Sequence, residues 1–232
     1  HAPASSGPRR MTDLAGERER LVRSLARNGI GDERVLEAVG RVPRERFVPQ
    51  HLVGDAYADR ALPIGEGQTV SQPWVVARMT ELLDVRPTDH VLEVGTGSGY
   101  QAAVLAQLVH DVVSIERHAP LAESAAARLG ELGYGNVRVV LGDASAGYAP
   151  DAPYDRIIVT AATPRIHPEL AGQLAPGGRL VAPVGSEQVQ ELIVRHADGR
   201  EERHGGVQFV PLLGRAGFRR DGERDGPPPG PR

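Results

Sequence analysis

A doubly wound, mostly parallel α/β sheet is the fold class this sequence predicts, and three observations carry the prediction. From His90 onward, short runs of Val, Ile and Leu alternate with segments of helical periodicity. Those runs are nearly continuous in apolar residues, as parallel strands covered on both faces should be. The first of them leads straight into Gly95-Thr96-Gly97-Ser98-Gly99, a glycine-rich turn of the kind at which such sheets bind ligands.

The elements follow in chain order. Residues 1–10 precede Met11, show no apolar periodicity and read as a tail. In the next segment Leu21, Val22 and Leu25 share a helix face, and Asn28-Gly29 supplies a stop. Asp32 can cap a second helix that buries Val35, Leu36 and Val39, and Pro43 ends it. Residues 47–68 read as irregular and glycine-punctuated. A third helix follows Pro73, which suits a first turn, and carries Val75, Val76, Met79, Leu82 and Leu83 on one side.

The α/β rhythm then begins. Strands are expected at 90–94, 111–116, 136–143, 154–160 and 177–185, with helices at 101–109, 120–132 and near 168–174. Residues 190–213 hold two strand-like runs around Asp198-Gly199, a hairpin signal, so an antiparallel pair should finish the sheet. Residues 219–232 are charged, then rich in Pro and Gly, and read as a second tail. The organisation expected is one domain over 11–218, with a helical part at 11–89 and the sheet at 90–218.

Composition removes several chemistries. The 232 residues include no cysteine, and all 27 Lys+Arg residues are arginines. Disulfides, thiolate nucleophiles and Cys-built metal sites are excluded, and so are lysine Schiff bases and a P-loop lysine. A net charge of −3 gives no basic footprint for nucleic acid. No apolar run approaches the roughly 18 residues of a membrane span, so a cytoplasmic protein without a membrane partner is expected. The histidines form no spaced metal set: His196 and His204 flank the hairpin turn, and His167 suits a surface loop. Arg41, Arg44 and Arg46 read as solvated or ion-paired, and Trp74 as packing near a helix start.

The strand–turn–helix at 91–100 lets a ligand approach the backbone closely. A dinucleotide fingerprint would need glycine at position 100, which is Tyr, and here the third glycine comes one residue early. Glu93 stands two places before the first glycine. The resulting E-x-G-x-G-x-G pattern resembles the first motif of S-adenosylmethionine-dependent methyltransferases, although a structural turn or NAD binding also fits glycines alone. Glu116 ends the second strand, 19 residues after Gly97, where an acid can take ribose hydroxyls. Asp143 ends the third, where it can accept from an adenine amino group. Each acid by itself also suits a solvated strand end or a turn. Three acids at the carboxyl ends of successive strands favour a nucleoside cofactor.

Over 14–215 the chain resembles the protein-L-isoaspartate O-methyltransferases. The matching stretches are 42–49 (V-P-R-E-R-F-V-P), 61–65 (A-L-P-I-G), 68–73 (Q-T-V-S-Q-P), the glycine loop through Gln101, and 209–212 (F-V-P-L). The resemblance implies the methyltransferase type of this fold, and methyl transfer from S-adenosyl-L-methionine, leaving S-adenosyl-L-homocysteine. The acceptor would be the free α-carboxylate of an isoaspartyl residue in a damaged protein, and the enzyme a monomer. By the same match Ser71 is the active-site serine, and Thr69, Val70 and Ser71 border the cofactor together with Glu93, Gly95, Thr96, Gly97 and Ser98. Glu116 would hold the ribose and Asp143 with Ala144 the adenine, and Arg117 would also touch the cofactor. Many relatives have Gly at the position of Ala144, a departure that crowds the adenine edge. Ile64, Ser71, Val210 and Leu212 would line the acceptor pocket.

The chemistry suits these residues. An acceptor carboxylate is already ionised at neutral pH, so no general base is required, only alignment and exclusion of water. Ser71 is then a positioning hydroxyl; the spacing alone also fits a helix N-cap. Rival readings are a methyltransferase of the same fold acting on a small molecule or RNA, a non-catalytic cofactor-binding protein, and an NAD oxidoreductase.

Overall fold

A computed structural model describes residues 13–218; the two expected tails, 1–10 and 219–232, lie outside the described residues. Helix α1 (Leu14–Arg27) is capped by Asp13, whose carboxylate accepts from the Gly16 N–H at 2.9 Å. It ends at Asn28-Gly29, with Gly29 at φ +94°. Helix α2 (Glu33–Arg41) is capped by Asp32 and buries Val35, Ala38 and Val39, while Leu36, expected on that face, is half-buried.

The irregular stretch expected over 47–68 needs correction. Two 3₁₀ turns (Arg44–Phe47 and Gln50–Asp55) lead into a small antiparallel hairpin, β1 (Leu62–Gly65) and β2 (Gln68–Val70). Strands of four and three residues are too short to show a period of two, so only the turn carries a signal. Gly65, Glu66 and Gly67 all take positive φ there. Helix α3 (Pro73–Leu83) then buries Val75, Val76, Met79, Leu82 and Leu83, the face expected of it.

The remaining chain builds a seven-stranded sheet. It comprises β3 (His90–Val94), β4 (Asp111–Glu116), β5 (Val137–Leu141), β6 (Tyr154–Val159), β7 (Leu174–Gly185), β8 (Gln190–His196) and β9 (Glu201–Val207), in the order β5-β4-β3-β6-β7-β8-β9. The first five strands of that order run parallel and the last two pairings are antiparallel, as expected. Helices α4 (Tyr100–Ala106), α5 (Ala119–Glu131) and α6 (Pro168–Ala171) form the crossovers. Two boundaries differ usefully from expectation. The third parallel strand stops at Leu141 rather than 143, which leaves Asp143 in the loop above it. The last strand stops at Val207, and 208–213 leaves the sheet to run beside Ala162, joined by Ala162 N–H to Val210 C=O (2.8 Å) and Leu212 N–H to Ala162 C=O (2.7 Å).

The core is aliphatic, as a chain with 4% aromatics requires. Val91, Val112, Ile158 and Val181 on one sheet face meet Met79 and Leu83 of α3 and Leu105 of α4. Leu92, Val113, Ile115, Ile157 and Leu180 fill the opposite face. A further cluster, with Leu25, Val39, Phe47 and Tyr100, joins the N-terminal helices to α4. No helix among the described residues is long and apolar enough to cross a membrane.

Candidate active site

Strand order reverses at β3: the chain runs outward through β4 and β5, then returns to the other side of β3 with β6. The loops after β3 and β6 therefore part, and a crevice opens at the carboxyl ends of the strands. It consists of two adjoining cavities, which share Gln68, Gly95, Glu116 and Ala161 and together with the solvent-open space at their mouths take up about 570 and 440 Å³.

The glycine loop forms the floor. Gly95 sits at φ +100°, and a Cβ there would lie 2.6 Å from Thr160 Oγ1. That hydroxyl in turn donates to the carbonyls of Val94 (3.0 Å) and Gly95 (2.5 Å), tying the end of β6 to the end of β3. Gly97, at φ +54°, turns its N–H to Glu116 Oε2 at 2.9 Å, and the His118 N–H reaches Oε1 at the same distance. Glu116 is thus held by two backbone donors, and each oxygen keeps a lone pair for a further donor.

Asp143 is fixed in the same manner. Its oxygens accept from the Ser145 N–H (2.9 Å) and the Arg215 N–H (2.8 Å). Burial pushes its carboxyl up, but the Arg215 and Ser145 N–H groups, the Ser145 hydroxyl and the charge of Arg117 outweigh that, leaving the pKa below 3.8. Asp143 is ionised at neutral pH. Around it the smaller cavity is lined by Ile115, Arg117, Ala144, Leu212 and Leu213. Ala144 is buried in the apolar cluster of Ile115 and Leu212, so its methyl group faces the core as well as the cavity edge.

Thr69, Val70, Ser71, Thr96, Ser98 and Val210 line the larger cavity. Of the two roles open to Ser71, the helix cap belongs to other residues. Gln72 occupies the cap position of α3 without a side-chain cap bond, and the Trp74 N–H is satisfied by Asp59 at 2.9 Å. Among the described residues no hydrogen bond involves the Ser71 hydroxyl, which is half-buried at the cavity wall.

What holds Ser71 in place is Arg44. Read from the sequence as solvated or ion-paired, this side chain is instead fully buried. Its Nε donates to the Ala56 carbonyl (2.8 Å) and its Nη2 to the Ser71 carbonyl (2.9 Å), while the guanidinium lies 4.7 Å from the centroid of the Tyr100 ring. Burial lowers its pKa, and the neighbouring Tyr100 works against that. Arg41 and Arg46 do pair at the surface, with Glu37 and Glu131.

Three further residues sit elsewhere than expected. Glu93 lines neither cavity: it is wholly buried behind the loop, on the same sheet face as its β4 neighbour Ser114, whose hydroxyl donates to it. The Ser114 oxygen lies 2.5 Å from Thr96 Oγ1, so the acid supports the loop from beneath. Alternation along β3 explains this, because Glu93 and Val91 point to the α3–α4 face. Leu212 lines the Asp143 cavity rather than the Ser71 cavity, since 210–213 crosses from one to the other. Ile64 lines neither cavity and packs against the loop, 3.5 Å from where a Gly97 Cβ would stand.

Gln68, Thr160, Ala161 and Phe209 line the crevice and were not singled out from the sequence. Thr160 and Ala161 were within reach, because they follow the fourth strand directly, at its ligand-binding end. Gln68 depends on the hairpin, which had no readable pattern. The donor set fits a nucleoside carrying a positive sulfur. Two held carboxylates face the crevice, Glu116 is the sole charged residue of the larger cavity, and the glycine loop leaves no Cβ in the way. Among the described residues no cluster of His, Asp and Glu is arranged to hold a metal.

Comparison with known proteins identifies the family. The family model for protein-L-isoaspartate(D-aspartate) O-methyltransferase matches residues 16–217. A protein-L-isoaspartate O-methyltransferase of Methanoculleus marisnigri is 54% identical over 206 residues, covering 87% of this chain and 94% of its own. A solved structure of a protein-L-isoaspartate O-methyltransferase superposes with a TM-score of 0.78 at 28% identity, covering 86% of this chain and 67% of its own. A Plasmodium falciparum structure in complex with S-adenosyl-L-homocysteine shares the fold at a TM-score of 0.73 and 23% identity, covering 84% of this chain and 98% of its own. The chain therefore belongs to the protein-L-isoaspartate O-methyltransferase family, enzymes that use S-adenosyl-L-methionine to methylate isoaspartyl residues and so begin the repair of damaged proteins.

Proposed function

We propose a division of labour along the crevice for this reaction. Glu116, with Arg117 at the rim, takes the ribose hydroxyls of the cofactor, and Asp143 with Ala144 takes the adenine. Thr69, Val70, Gly95, Thr96, Gly97 and Ser98 enclose the remainder, and Glu93 supports the loop from behind. When bound, S-adenosyl-L-methionine supplies an activated methyl group. Val210 and Ser71 face the acceptor, while Ile64 and Leu212 stiffen the two ends of that wall. The enzyme acts as a monomer on isoaspartyl proteins and peptides.

Ser71 orients the acceptor. A carboxylate with its pKa near 4 is ionised at pH 7 and needs no base, so the residues present have only to align it and exclude water. The Ser71 hydroxyl, uncommitted within the protein and held at the wall by Arg44, donates to one acceptor oxygen and leaves the other free to react. That uncommitted hydroxyl is the observation that carries the assignment. The test measures Ser71→Ala with two peptides differing only in Asp or isoAsp. Turnover of the isoaspartyl peptide should fall at least about tenfold, the worth of one charge-assisted hydrogen bond. Affinity for S-adenosyl-L-homocysteine should stay within about twofold, and so should the urea midpoint, since α3 is capped by Asp59. An unchanged rate would remove Ser71 from the acceptor site.

A further inference from the structure

Arg44 carries a charge that its bridging role does not need. Neutral donors could join the carbonyls of Ala56 and Ser71, yet the group that joins them is a wholly buried guanidinium, which stays cationic in proteins. Among the described residues it forms no ion pair. The carboxylate whose charge bears on it most is that of Asp59, which is exposed and already accepts from the Trp74 N–H (2.9 Å) and from Gln72 Nε2 (3.1 Å). Its sequence neighbour Glu45 accepts from the Tyr57 hydroxyl. Two buried polar atoms have no partner here, Arg44 Nη1 and the hydroxyl of Tyr100, whose ring the guanidinium faces. Buried charges are as a rule paired, because leaving water uncompensated is costly.

The place of this charge supplies the missing partner. Arg44 Nη2 bonds the carbonyl of the residue whose hydroxyl stands uncommitted on the wall of the larger cavity, and Tyr100 lines that cavity too. The one charged residue in the lining is Glu116, an anion. A carboxylate entering the cavity meets repulsion from the lining and attraction only from behind the wall.

We infer that Arg44 is the counter-charge of the acceptor carboxylate, a positioning residue that selects an anionic group over a neutral one of the same shape. This rests on the reading of Ser71 as the acceptor-binding group. The Ser71 hydroxyl can donate to a carboxylate, an amide or an ester alike, so it does not separate them by charge. A buried cation one carbonyl away does, because charges interact beyond hydrogen-bond reach where water is excluded. Methyl transfer cancels the acceptor's charge, as the new oxygen–carbon bond replaces the carbon–sulfur bond and the sulfur keeps that electron pair. Arg44 therefore holds the substrate more firmly than the neutral ester that replaces it. Its contribution lies in binding the acceptor and discharging the product, rather than in accelerating the chemical step.

The experiment measures by calorimetry, with S-adenosyl-L-homocysteine bound, the affinities of two hexapeptides. One has a central isoaspartyl residue; in the other its α-carboxylate is replaced by a carboxamide. Wild type should bind the carboxylate at least about tenfold more tightly. Arg44→Gln, which keeps a donor but no charge, should lose about tenfold for the carboxylate and stay within about twofold for the carboxamide, erasing the preference. In turnover its KM for the isoaspartyl peptide should rise about tenfold while kcat changes less than about twofold. Arg44→Lys should restore most of the preference, because it keeps the charge although it cannot bridge both carbonyls. If Arg44→Gln fails to fold, Arg44→Lys carries the test: a retained preference supports the counter-charge and a lost one overturns it. Equal weakening of both peptides in Arg44→Gln, the mark of a purely structural support, would overturn it, as would a wild type indifferent to carboxylate and carboxamide. Those results, with isoAsp still chosen over Asp and the Ser71→Ala rate loss intact, would leave the acceptor site standing. Loss of the choice between isoAsp and Asp peptides in the wild-type protein would overturn both.

Discussion

Glu93 gives a stability prediction whose size can be worked from the structure. The side chain is wholly buried, its Oε1 has no partner, and only Ser114 donates to Oε2. Burial pushes its pKa from 4.5 up to about 8; the Ser114 hydroxyl pulls it down and Glu116 adds to the rise. Folded, Glu93 is therefore largely a neutral acid at pH 7, whereas in the unfolded chain it ionises near the ordinary value. Between those two values the native state binds one more proton than the unfolded state, so stability falls as pH rises, by about 1.4 kcal/mol per unit. From pH 5.5 to 8 that amounts to about 3 kcal/mol. Glu93→Gln keeps the shape and removes the ionisation. Its amide adds a donor with no evident acceptor, so at pH 5.5 the variant should be less stable than wild type, by about 1–3 kcal/mol. By pH 8 the comparison should have moved about 3 kcal/mol in the variant's favour. Urea titrations followed by circular dichroism at pH 5.5, 7 and 8 would read this as a relative midpoint shift of about 1 M or more. Affinity for S-adenosyl-L-homocysteine should scarcely change, because Glu93 does not line the crevice. Parallel stability curves for the two proteins across this range would refute the neutral-acid argument.

Two further substitutions test the supports of the site. Arg44→Lys cannot bridge the carbonyls of Ala56 and Ser71 at once, and leaving one buried acceptor unpaired should cost about 1–3 kcal/mol in chemical denaturation; an unchanged midpoint would contradict the bridging role. Asp143→Ala should weaken S-adenosyl-L-homocysteine binding about tenfold or more by calorimetry, and unaltered affinity would remove the adenine role. Because the Asp143 pKa is depressed below 3.8, its stabilising bonds to Ser145 and Arg215 are fully present at neutral pH and are lost only as pH falls through the lowered value. The pH dependence of stability below 4 should therefore be shallower in the Asp143→Ala protein.

Much of the site was legible because strand ends are legible. An apolar run followed by glycines, and acids at the ends of the next two strands, place Gly95, Glu116 and Asp143 along one edge of a parallel sheet, and the structure brings them to one crevice. Less could be read where a residue's surroundings come from distant segments. Arg44 lies in a charged stretch, between a proline and Glu45, yet it is enclosed by Ala56, Ser71 and Tyr100, and no local pattern marks a cation as buried. Glu93 belongs to the glycine motif but faces away from the crevice, because its direction is set by the alternation of β3 within the sheet.

Read alone, then, the sequence yielded the succession of βα units, the closing hairpin, the glycine turn and the acids beside it. These depend on periodicity, turn chemistry and spacing, all of them properties of neighbouring residues. The tertiary structure alone decided that Asp59 caps α3 and leaves the Ser71 hydroxyl uncommitted, and that 208–213 leaves the sheet to wall both cavities. Each of these rests on hydrogen bonds and packing between segments far apart in the chain, where the outcome depends on which partners the fold brings within reach.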